Sequence, residues 1–114
     1  MNPLELAQTV VRAVEDKKGE AIVLMDLQKV SSFTDFFVLC SGTSDRMLNA
    51  LADAAIDQVR ETHHLKGRKE GQPDAGWVVV DFGAVVLHLF ADEQRHFYNL
   101  EELWSEGKVL LRLQ

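Results

Sequence analysis

The apolar residues near the start of the chain repeat at the spacing of an amphipathic helix. Four of them recur every three to four positions and would form one buried stripe: Leu6, Val10, Ala13 and Val14. Asn2 is suited to cap this helix, because its side-chain oxygen can accept a backbone N–H, and Pro3 fits the first helical position. Lys17 and Lys18 followed by Gly19 predict the end of the helix, with cations near the last carbonyls and the glycine in a left-handed conformation.

Two apolar segments follow, and their composition predicts strands in the middle of a sheet. Residues 21–27 and 35–40 are apolar at almost every position. A strand exposed on one face would alternate apolar and polar side chains, so both segments are predicted to be covered on both faces. The connection between them, residues 28–34, is polar except for Phe33.

A second helix is predicted after the turn at residues 41–45, where Thr43 or Ser44 can cap it. Its inner stripe consists of Leu48, Leu51, Ala52, Ala55 and Val59. The later residues leave room for a short strand, two short helical stretches and an apolar tail too short to assign: residues 66–70, 92–96, 100–105 and 109–113. This order of elements predicts a single α/β domain, residues 1–114, with a mixed sheet flanked by helices.

Residues 77–90 predict a β-hairpin with Gly83-Ala84 as its two-residue turn. One face of the hairpin is wholly apolar and pairs Val78 with Leu89, Val80 with Leu87 and Phe82 with Val85. The other face is mixed and pairs Trp77 with Phe90, Val79 with His88 and Asp81 with Val86. The mixed face leaves two interpretations open, a surface that contacts a partner or a second buried face with a satisfied histidine. A slip of one residue in the register would invert the two faces.

Composition narrows the class of protein and of partner. Of the 114 residues, 46% are hydrophobic and 26% are charged, which is ordinary for a globular protein, and the net charge is −6. That charge argues against a surface dedicated to phosphate backbones, although it allows a protein partner inside a nucleic-acid machine. The single cysteine, Cys40, excludes an internal disulfide and fits a reducing compartment. No apolar run reaches membrane-spanning length and the first residues do not resemble a signal peptide, so the expected location is the cytoplasm.

The strand-to-helix turn Ser41-Gly42-Thr43-Ser44 is one candidate site, because backbone amides at the start of a helix attract anions. A glycine-serine pair after a strand also opens the active site of polymerase-type nucleotidyltransferases. Those enzymes hold two magnesium ions with carboxylates on neighbouring strands. The hairpin offers Asp81 alone, and Gly83 stands where a second carboxylate would be needed. A helix cap is therefore the favoured interpretation of this turn.

The other reactive side chains form no recognisable catalytic or metal-binding motif. His63 and His64 are adjacent, so on a helix they point in different directions and rarely share a metal. His88 has no serine or cysteine nucleophile in a known motif. Cys40 ends a buried strand, where a small core residue is favoured over an activated thiol. No catalytic residue, metal site or cofactor is predicted.

Aromatic residues cluster again in residues 95–104, RHFYNLEELW. Tyr, Trp and Arg are the residue types enriched at protein interfaces. The alternative is that Tyr98, Leu100 and Trp104 pack this segment onto the sheet. Both are expected together, with some of the aromatic residues buried and Arg95 facing outward beside the hairpin.

Several stretches of the chain carry a resemblance to a known family. They are SSFTDFFV at residues 31–38, SGTSDR at 41–46, EG at 70–71, GW at 76–77, DFG at 81–83, VLHLF at 86–90, and Arg95 with YNLEELW at 98–104. Each is weakly specific alone, but the set, in this order over nearly the whole chain, resembles the ribosomal silencing factors, the Iojap-related proteins. Two departures are minor: Met47 stands where a glutamine is common, and Phe36 where a tyrosine is common.

The resemblance implies a regulator of translation rather than an enzyme. Members of the family bind the large ribosomal subunit through its protein number fourteen, at the face that joins the small subunit. The bound factor blocks joining sterically and lowers translation when nutrients are scarce. The family fold is nucleotidyltransferase-like without the catalytic carboxylates, which agrees with Gly83. The negative charge of this chain would steer it to a basic ribosomal protein.

The mixed hairpin face is the predicted contact surface, and the predicted mechanism is occlusion without catalysis. Eight residues are expected to bind the ribosomal protein: an apolar centre of Trp77, Val79 and Phe90, the acidic groups Glu70, Asp81 and Glu101, and the hydrogen-bonding groups His88 and Arg95. Two alternatives stay open. One is a small nucleotidyltransferase-like enzyme acting on nucleotide or tRNA, and the other is a homodimer that uses the same aromatic face.

Overall fold

A computed structural model describes residues 2–91 and 108–113 of the chain. Its elements are α1 (Pro3–Asp16), β1 (Glu20–Asp26), β2 (Phe36–Gly42), α2 (Asp45–His63), β3 (Arg68–Gln72), a short 3-10 turn (Pro73–Ala75), β4 (Trp77–Asp81), β5 (Val85–Ala91) and β6 (Lys108–Leu113). The strands form one six-stranded sheet in the order β3-β4-β5-β2-β1-β6. Strands β2 and β5 are parallel and the other neighbours antiparallel, which confirms the predicted α/β fold with a mixed sheet.

Both of these helices lie on the same face of the sheet, and each buries the stripe that its spacing predicts. All four residues of the predicted stripe of α1 and all five of α2 are buried. They form one core with the side chains that β1, β2, β4 and β5 direct toward the helices. Burial of apolar surface in one continuous cluster is the main stabilising contribution in a domain of this size.

Side-chain oxygens cap both helices at the predicted starts. Asn2 Oδ1 accepts a hydrogen bond from Leu4 N at 2.8 Å. Ser44 Oγ accepts one from Met47 N at 3.1 Å, so Ser44 rather than Thr43 is the cap of α2. Each cap satisfies an amide that has no partner within its helix.

The end of α1 differs in detail from the prediction. Lys18, rather than Gly19, takes the left-handed conformation, with φ 68°. Gly19 instead allows the backbone to pack closely against Cys40, because a Cβ at position 19 would collide with Cys40 Sγ. The lysine therefore adopts a backbone conformation that is costly for an L-residue, and the glycine brings the start of β1 against the core.

Strands β4 and β5 form the predicted hairpin in the predicted register. The mixed face pairs Trp77 with Phe90, Val79 with His88 and Asp81 with Val86. Phe82 N donates to Val85 O at 2.9 Å to close the turn, and Gly83 has φ 88°. The apolar face of the hairpin packs in the core beneath the helices.

The two edge strands of the sheet, β3 and β6, form from segments whose structure the sequence pattern predicted least clearly. The apolar tail forms the edge strand β6, which pairs with β1 in antiparallel fashion. The strand predicted at residues 66–70 is present as β3, two residues further along, and forms the opposite edge. The helical stretches predicted at 92–96 and 100–105 lie outside the described residues. Within the described ranges, no helix is long and apolar enough to cross a membrane.

The face of the sheet turned away from the helices has a smaller apolar cluster at its centre. It consists of Val23, Met25, Leu27, Phe37 and Leu39, with Val30 and Val86 packed at its border. All seven residues of β2 are buried, so for this strand the predicted cover on both faces is confirmed. The same side of the sheet continues across β5, β4 and β3, where the candidate site lies.

Candidate functional site

Three adjacent strands place most of the predicted contact residues on one surface. Alternate side chains of β3, β4 and β5 point away from the helices, and Val79 pairs with Glu70 on one side and His88 on the other. We call this surface the Trp77 face, and it consists of Arg68, Glu70, Gln72, Trp77, Val79, Asp81, Val86, His88 and Phe90. Six of the eight predicted residues lie on it, and Arg95 and Glu101 lie outside the described residues.

Aromatic rings stack at the end of the Trp77 face where β4 begins. The Trp77 and Phe90 rings are 5.4 Å apart at 22°, and the His88 and Phe90 rings are 6.1 Å apart at 6°. Phe37 meets the His88 ring edge-on at 4.5 Å. Phe90 and His88 are 1% and 7% exposed, whereas Trp77 and Val79 are half-buried. Phe90 and His88 are therefore buried members of the face, and its accessible apolar part is Trp77, Val79 and Val86.

The two ring nitrogens of His88 have different surroundings. Trp77 Nε1 lies 3.4 Å from His88 Nδ1, and because an indole N–H can only donate, Nδ1 is the acceptor. Burial lowers the pKa of His88 from 6.5 to about 4, so the ring is neutral at pH 7 with its proton on Nε2. Nε2 is buried and has no hydrogen-bond partner among the described residues. The sequence left open a buried histidine with its hydrogen bonds satisfied. In the structure His88 is buried, and among the described residues only its Nδ1 has a hydrogen-bond partner.

Two carboxylates share one guanidinium on the exposed side of the face. Arg68 Nε lies 3.5 Å from Glu70 Oε1, and Arg68 Nη2 lies 3.8 Å from Asp81 Oδ2. Asp81 also accepts a hydrogen bond from Gly83 N at 2.7 Å, which orients it at the hairpin turn. These side chains are largely in solvent, where ion pairs contribute little, so both carboxylates stay accessible to a partner.

Arg68 is the charged residue of this face that the sequence analysis missed. Its backbone pairs with Asp81 across β3 and β4. A signal was present, because Arg68 precedes Glu70 by two positions and alternate residues of a strand share a face. The arginine lowers the negative charge of the face and ties β3 to the hairpin.

The other candidate sites from the sequence have structural roles. Ser44 caps α2, and a Cβ at Gly42 would lie 2.9 Å from a leucine methyl of α2, so this turn packs closely against the helix. His63 Nε2 is 2.8 Å from Thr9 Oγ1 and joins the two helices. Cys40 is fully buried in the core. In the part of the chain that the structure describes, no cluster of three or more His, Cys, Asp or Glu could hold a metal ion.

The fold and the Trp77 face together define a small α/β domain with a mixed sheet, one side of which carries a half-buried tryptophan bordered by carboxylates. Residues 1–113 match the family described as ribosomal silencing factor during starvation. The chain therefore belongs to the ribosomal silencing factor family. Membership in this family is consistent with translation regulation on the ribosome.

Two bacterial relatives and one solved structure resemble the chain over most of their length. The ribosomal silencing factor of Halalkalibacterium halodurans is 39% identical, over 96% of this chain and 94% of that protein. The ribosomal silencing factor of Bacillus subtilis is 37% identical, over 96% of this chain and 92% of that protein. A crystal structure of a Chromobacterium violaceum protein matches with a TM-score of 0.87 at 31% identity, covering 92% of this chain and 88% of that one.

Proposed function

We propose that this protein binds the large ribosomal subunit through its protein number fourteen and blocks joining of the small subunit. It acts by occlusion and not by catalysis, and it represses translation when nutrients are limiting. The observation that carries the proposal is the Trp77 face, in a chain that belongs to the ribosomal silencing factor family. A half-buried tryptophan over stacked rings, bordered by carboxylates, has the chemistry of a protein-binding surface.

Trp77 is the proposed anchor of the contact. Its ring stacks on Phe90 and its Nε1 donates to His88 Nδ1, so the position and orientation of the indole are set before a partner arrives. A preorganised side chain loses little conformational entropy on binding, which leaves more of the interaction free energy for affinity. Val79 extends the accessible apolar area along the same strand.

Charge supports a basic protein as the partner. The chain has a net charge of −6, and Glu70 and Asp81 border the apolar part of the face with one arginine between them. Negative charge accelerates the encounter with a basic protein and disfavours binding to phosphates. The same two carboxylates are placed to pair with lysine or arginine side chains of the ribosomal protein.

The rival function, a nucleotidyltransferase-like enzyme, has less support in the site. Such an enzyme holds magnesium with carboxylates on neighbouring strands. Asp81 is oriented toward Gly83 N, and Gly83 has φ 88°, a backbone conformation that an aspartate would adopt only at a cost. Magnesium-dependent binding of nucleotide by the isolated protein would favour the enzyme over the proposal.

Sedimentation of the protein with isolated large subunits tests the proposal. Wild type is expected to co-sediment and to prevent the small subunit from joining. Trp77→Ala is expected to keep its fold and to bind about thirtyfold more weakly, since truncating an aromatic anchor costs about 2 kcal/mol or more. Leu110→Ala removes an exposed apolar side chain from the edge strand β6 and is the matched control, expected to bind like wild type. Wild type in the supernatant, or normal binding by Trp77→Ala, would contradict the proposal.

Self-association through the Trp77 face is the alternative to ribosome binding. The twofold interface of a homodimer would bury the same accessible apolar area that a ribosomal protein would bury. Analytical ultracentrifugation distinguishes the two, because a homodimer through this face gives a mass that rises with concentration in wild type and not in Trp77→Ala. The proposal also expects the protein in the cytoplasm, in the compartment of the ribosomes.

A further inference from the structure

The connection between β1 and β2, residues 27–35, presents an aromatic side chain that the proposed function does not use. Phe33 is 67% exposed, more than any other large apolar side chain in the described ranges. Single exposed apolar residues are common on protein surfaces, so the exposure alone decides nothing. The way in which the loop is built makes Phe33 distinctive.

Hydrogen bonds within the loop hold its backbone in one conformation. Ser31 Oγ accepts from Phe33 N and from Thr34 N, each at 3.3 Å. Val30 N and Ser31 N both donate to Leu27 O, at 3.0 and 2.9 Å. The backbone at Phe33 and on both sides of it is therefore fixed, and the ring is presented from a defined point rather than from a flexible tip.

The loop is also tied to the hairpin turn. The carbonyl oxygen of Ala84 accepts from Thr34 Oγ1 at 3.0 Å, from Asp35 N at 2.9 Å and from Phe36 N at 3.1 Å. One carbonyl with three donors fixes the end of the loop against the turn between β4 and β5. The loop and the Trp77 face consequently belong to one rigid unit.

The loop continues the side of the sheet on which the Trp77 face lies. Val30 packs against the same apolar cluster as Val86, which is a member of that face. Trp77 pairs with Phe90 near the end of β5, whereas the loop is hydrogen-bonded to Ala84, just before β5 begins at Val85. Trp77 and the loop that carries Phe33 therefore lie near opposite ends of β5. Five residues of strand span about 17 Å. That distance fits within one ordinary interface, which covers about 800 Å² per partner.

We propose that Phe33 is a second anchor of the ribosomal contact, inserted into an apolar pocket on a protein of the large subunit. The inference rests on the proposed function and adds a second point of attachment to it. Two anchors at a fixed separation define the orientation of the bound factor, whereas one anchor alone allows it to pivot. Orientation matters for a factor that acts by occlusion, because the bound domain must occupy the surface at which the small subunit joins.

The charges beside Phe33 favour a protein over ribosomal RNA as the occupant. Asp26 and Asp35 flank the loop, and the cations near it are Lys29 and Lys108, which lies opposite Asp26 on β6, so the two charges of each sign balance. A phosphate backbone is bound by clustered cations, which these balanced charges do not provide, whereas an exposed phenyl ring is complementary to an apolar pocket on a protein.

Photo-crosslinking identifies the occupant directly. The full chain carries the substitution Phe33→p-benzoylphenylalanine and is irradiated on purified large subunits, with Arg12→p-benzoylphenylalanine on the exposed side of α1 as the control. A crosslink from position 33 to a large-subunit protein, absent from position 12, is expected. A crosslink to ribosomal RNA, or none from position 33, overturns the proposal.

Affinity measurements test the energetic role of the same side chain. Phe33→Ala is expected to bind large subunits at least tenfold more weakly at an unchanged melting temperature, while Leu110→Ala binds like wild type. If Phe33→Ala binds normally and Trp77→Ala fails, the second anchor is refuted and the proposed function survives. If wild type itself does not bind the subunit, the proposed function falls and this inference falls with it.

Ser31 is the positioning residue for this anchor. Ser31→Ala removes the acceptor shared by Phe33 N and Thr34 N but keeps the phenyl ring. It should weaken binding severalfold in wild type and have no effect in the Phe33→Ala background, because only the placement of the ring is lost. An equal effect in both backgrounds would mean that Ser31 acts on the fold and not through Phe33, and would overturn this assignment.

Discussion

Trp77 Nε1 donates a hydrogen bond to His88 Nδ1 at 3.4 Å across the β4–β5 hairpin, and the two rings are 6.1 Å apart. The bond joins the accessible side chain of the Trp77 face to a buried imidazole and selects the His88 tautomer. A change in the protonation of His88 would therefore act directly on the side chain proposed to contact the ribosome.

Acidification should destabilise the protein through His88. The unfolded group titrates near 6.5, and burial lowers the pKa in the folded state to about 4, so between these values the unfolded chain binds the proton more readily. The contribution of His88 to the free energy of unfolding is fully present above pH 6.5 and falls as the pH is lowered through this window. Below about pH 4 this group causes no further loss. The difference between the two pKa values sets an upper limit of about 3 kcal/mol on the loss.

Urea unfolding at pH 7.0, 5.5 and 4.5 measures this dependence. His88→Phe should be less sensitive to pH across the window than wild type, because a phenyl ring cannot be protonated. His64→Asn replaces an exposed histidine and should leave the wild-type dependence unchanged. Parallel curves for wild type and His88→Phe would show that other groups cause the acid sensitivity.

Removing Arg68 should accelerate association with the basic ribosomal partner. Arg68→Ala leaves Glu70 and Asp81 without their shared guanidinium and makes the face more negative. The association rate at low salt should rise a few-fold and the gain should shrink as salt screens the charges. Stopped-flow binding to the isolated ribosomal protein at two salt concentrations measures it. The fold should lose less than about 1 kcal/mol, because the ion pairs are exposed, and a slower association would count against a basic partner.

Ser44→Ala should destabilise the protein by about 1 kcal/mol, because Met47 N loses its only side-chain acceptor at the start of α2. Thr43→Ala is the neighbouring control and should cost less, since Thr43 is exposed and does not cap the helix. Thermal unfolding of both variants gives the comparison. Equal losses would mean that the cap is shared between the two hydroxyls.

Gly19→Ala should cost about 1–3 kcal/mol, since its Cβ would collide with Cys40 Sγ inside a packed core. The double variant Gly19→Ala with Cys40→Ala should be less destabilised than the sum of the single variants, because removing the sulfur makes room for the new methyl group. Gly83→Ala provides a contrast, because a Cβ there meets nothing within 4 Å and only φ 88° disfavours it. Chemical denaturation of all four variants separates steric from conformational cost. Simple additivity at positions 19 and 40 would refute the steric explanation.

Most of the candidate site could be placed from the sequence because it depends on strand alternation and one turn. Gly83-Ala84 sets the hairpin register, and that register alone places Trp77, Val79 and Asp81 on one side. The register does not say how deeply each side chain is buried. Phe90 and His88 share the side of Trp77 but lie beneath the surface, where Phe37 of the neighbouring strand β2 meets the His88 ring.

Local spacing was enough to determine the two helices, the Asn2 cap and the hairpin, because each depends on residues only a few positions apart. It left Thr43 and Ser44 both open as the cap of α2. Long-range packing decided the rest. Only the folded chain shows that the tail becomes the edge strand β6, that Gly19 must be small because Cys40 lies against it, and that Arg68 stands between two carboxylates. These features join residues distant in sequence, and their free energies depend on burial and on distances that exist only after the sheet has formed.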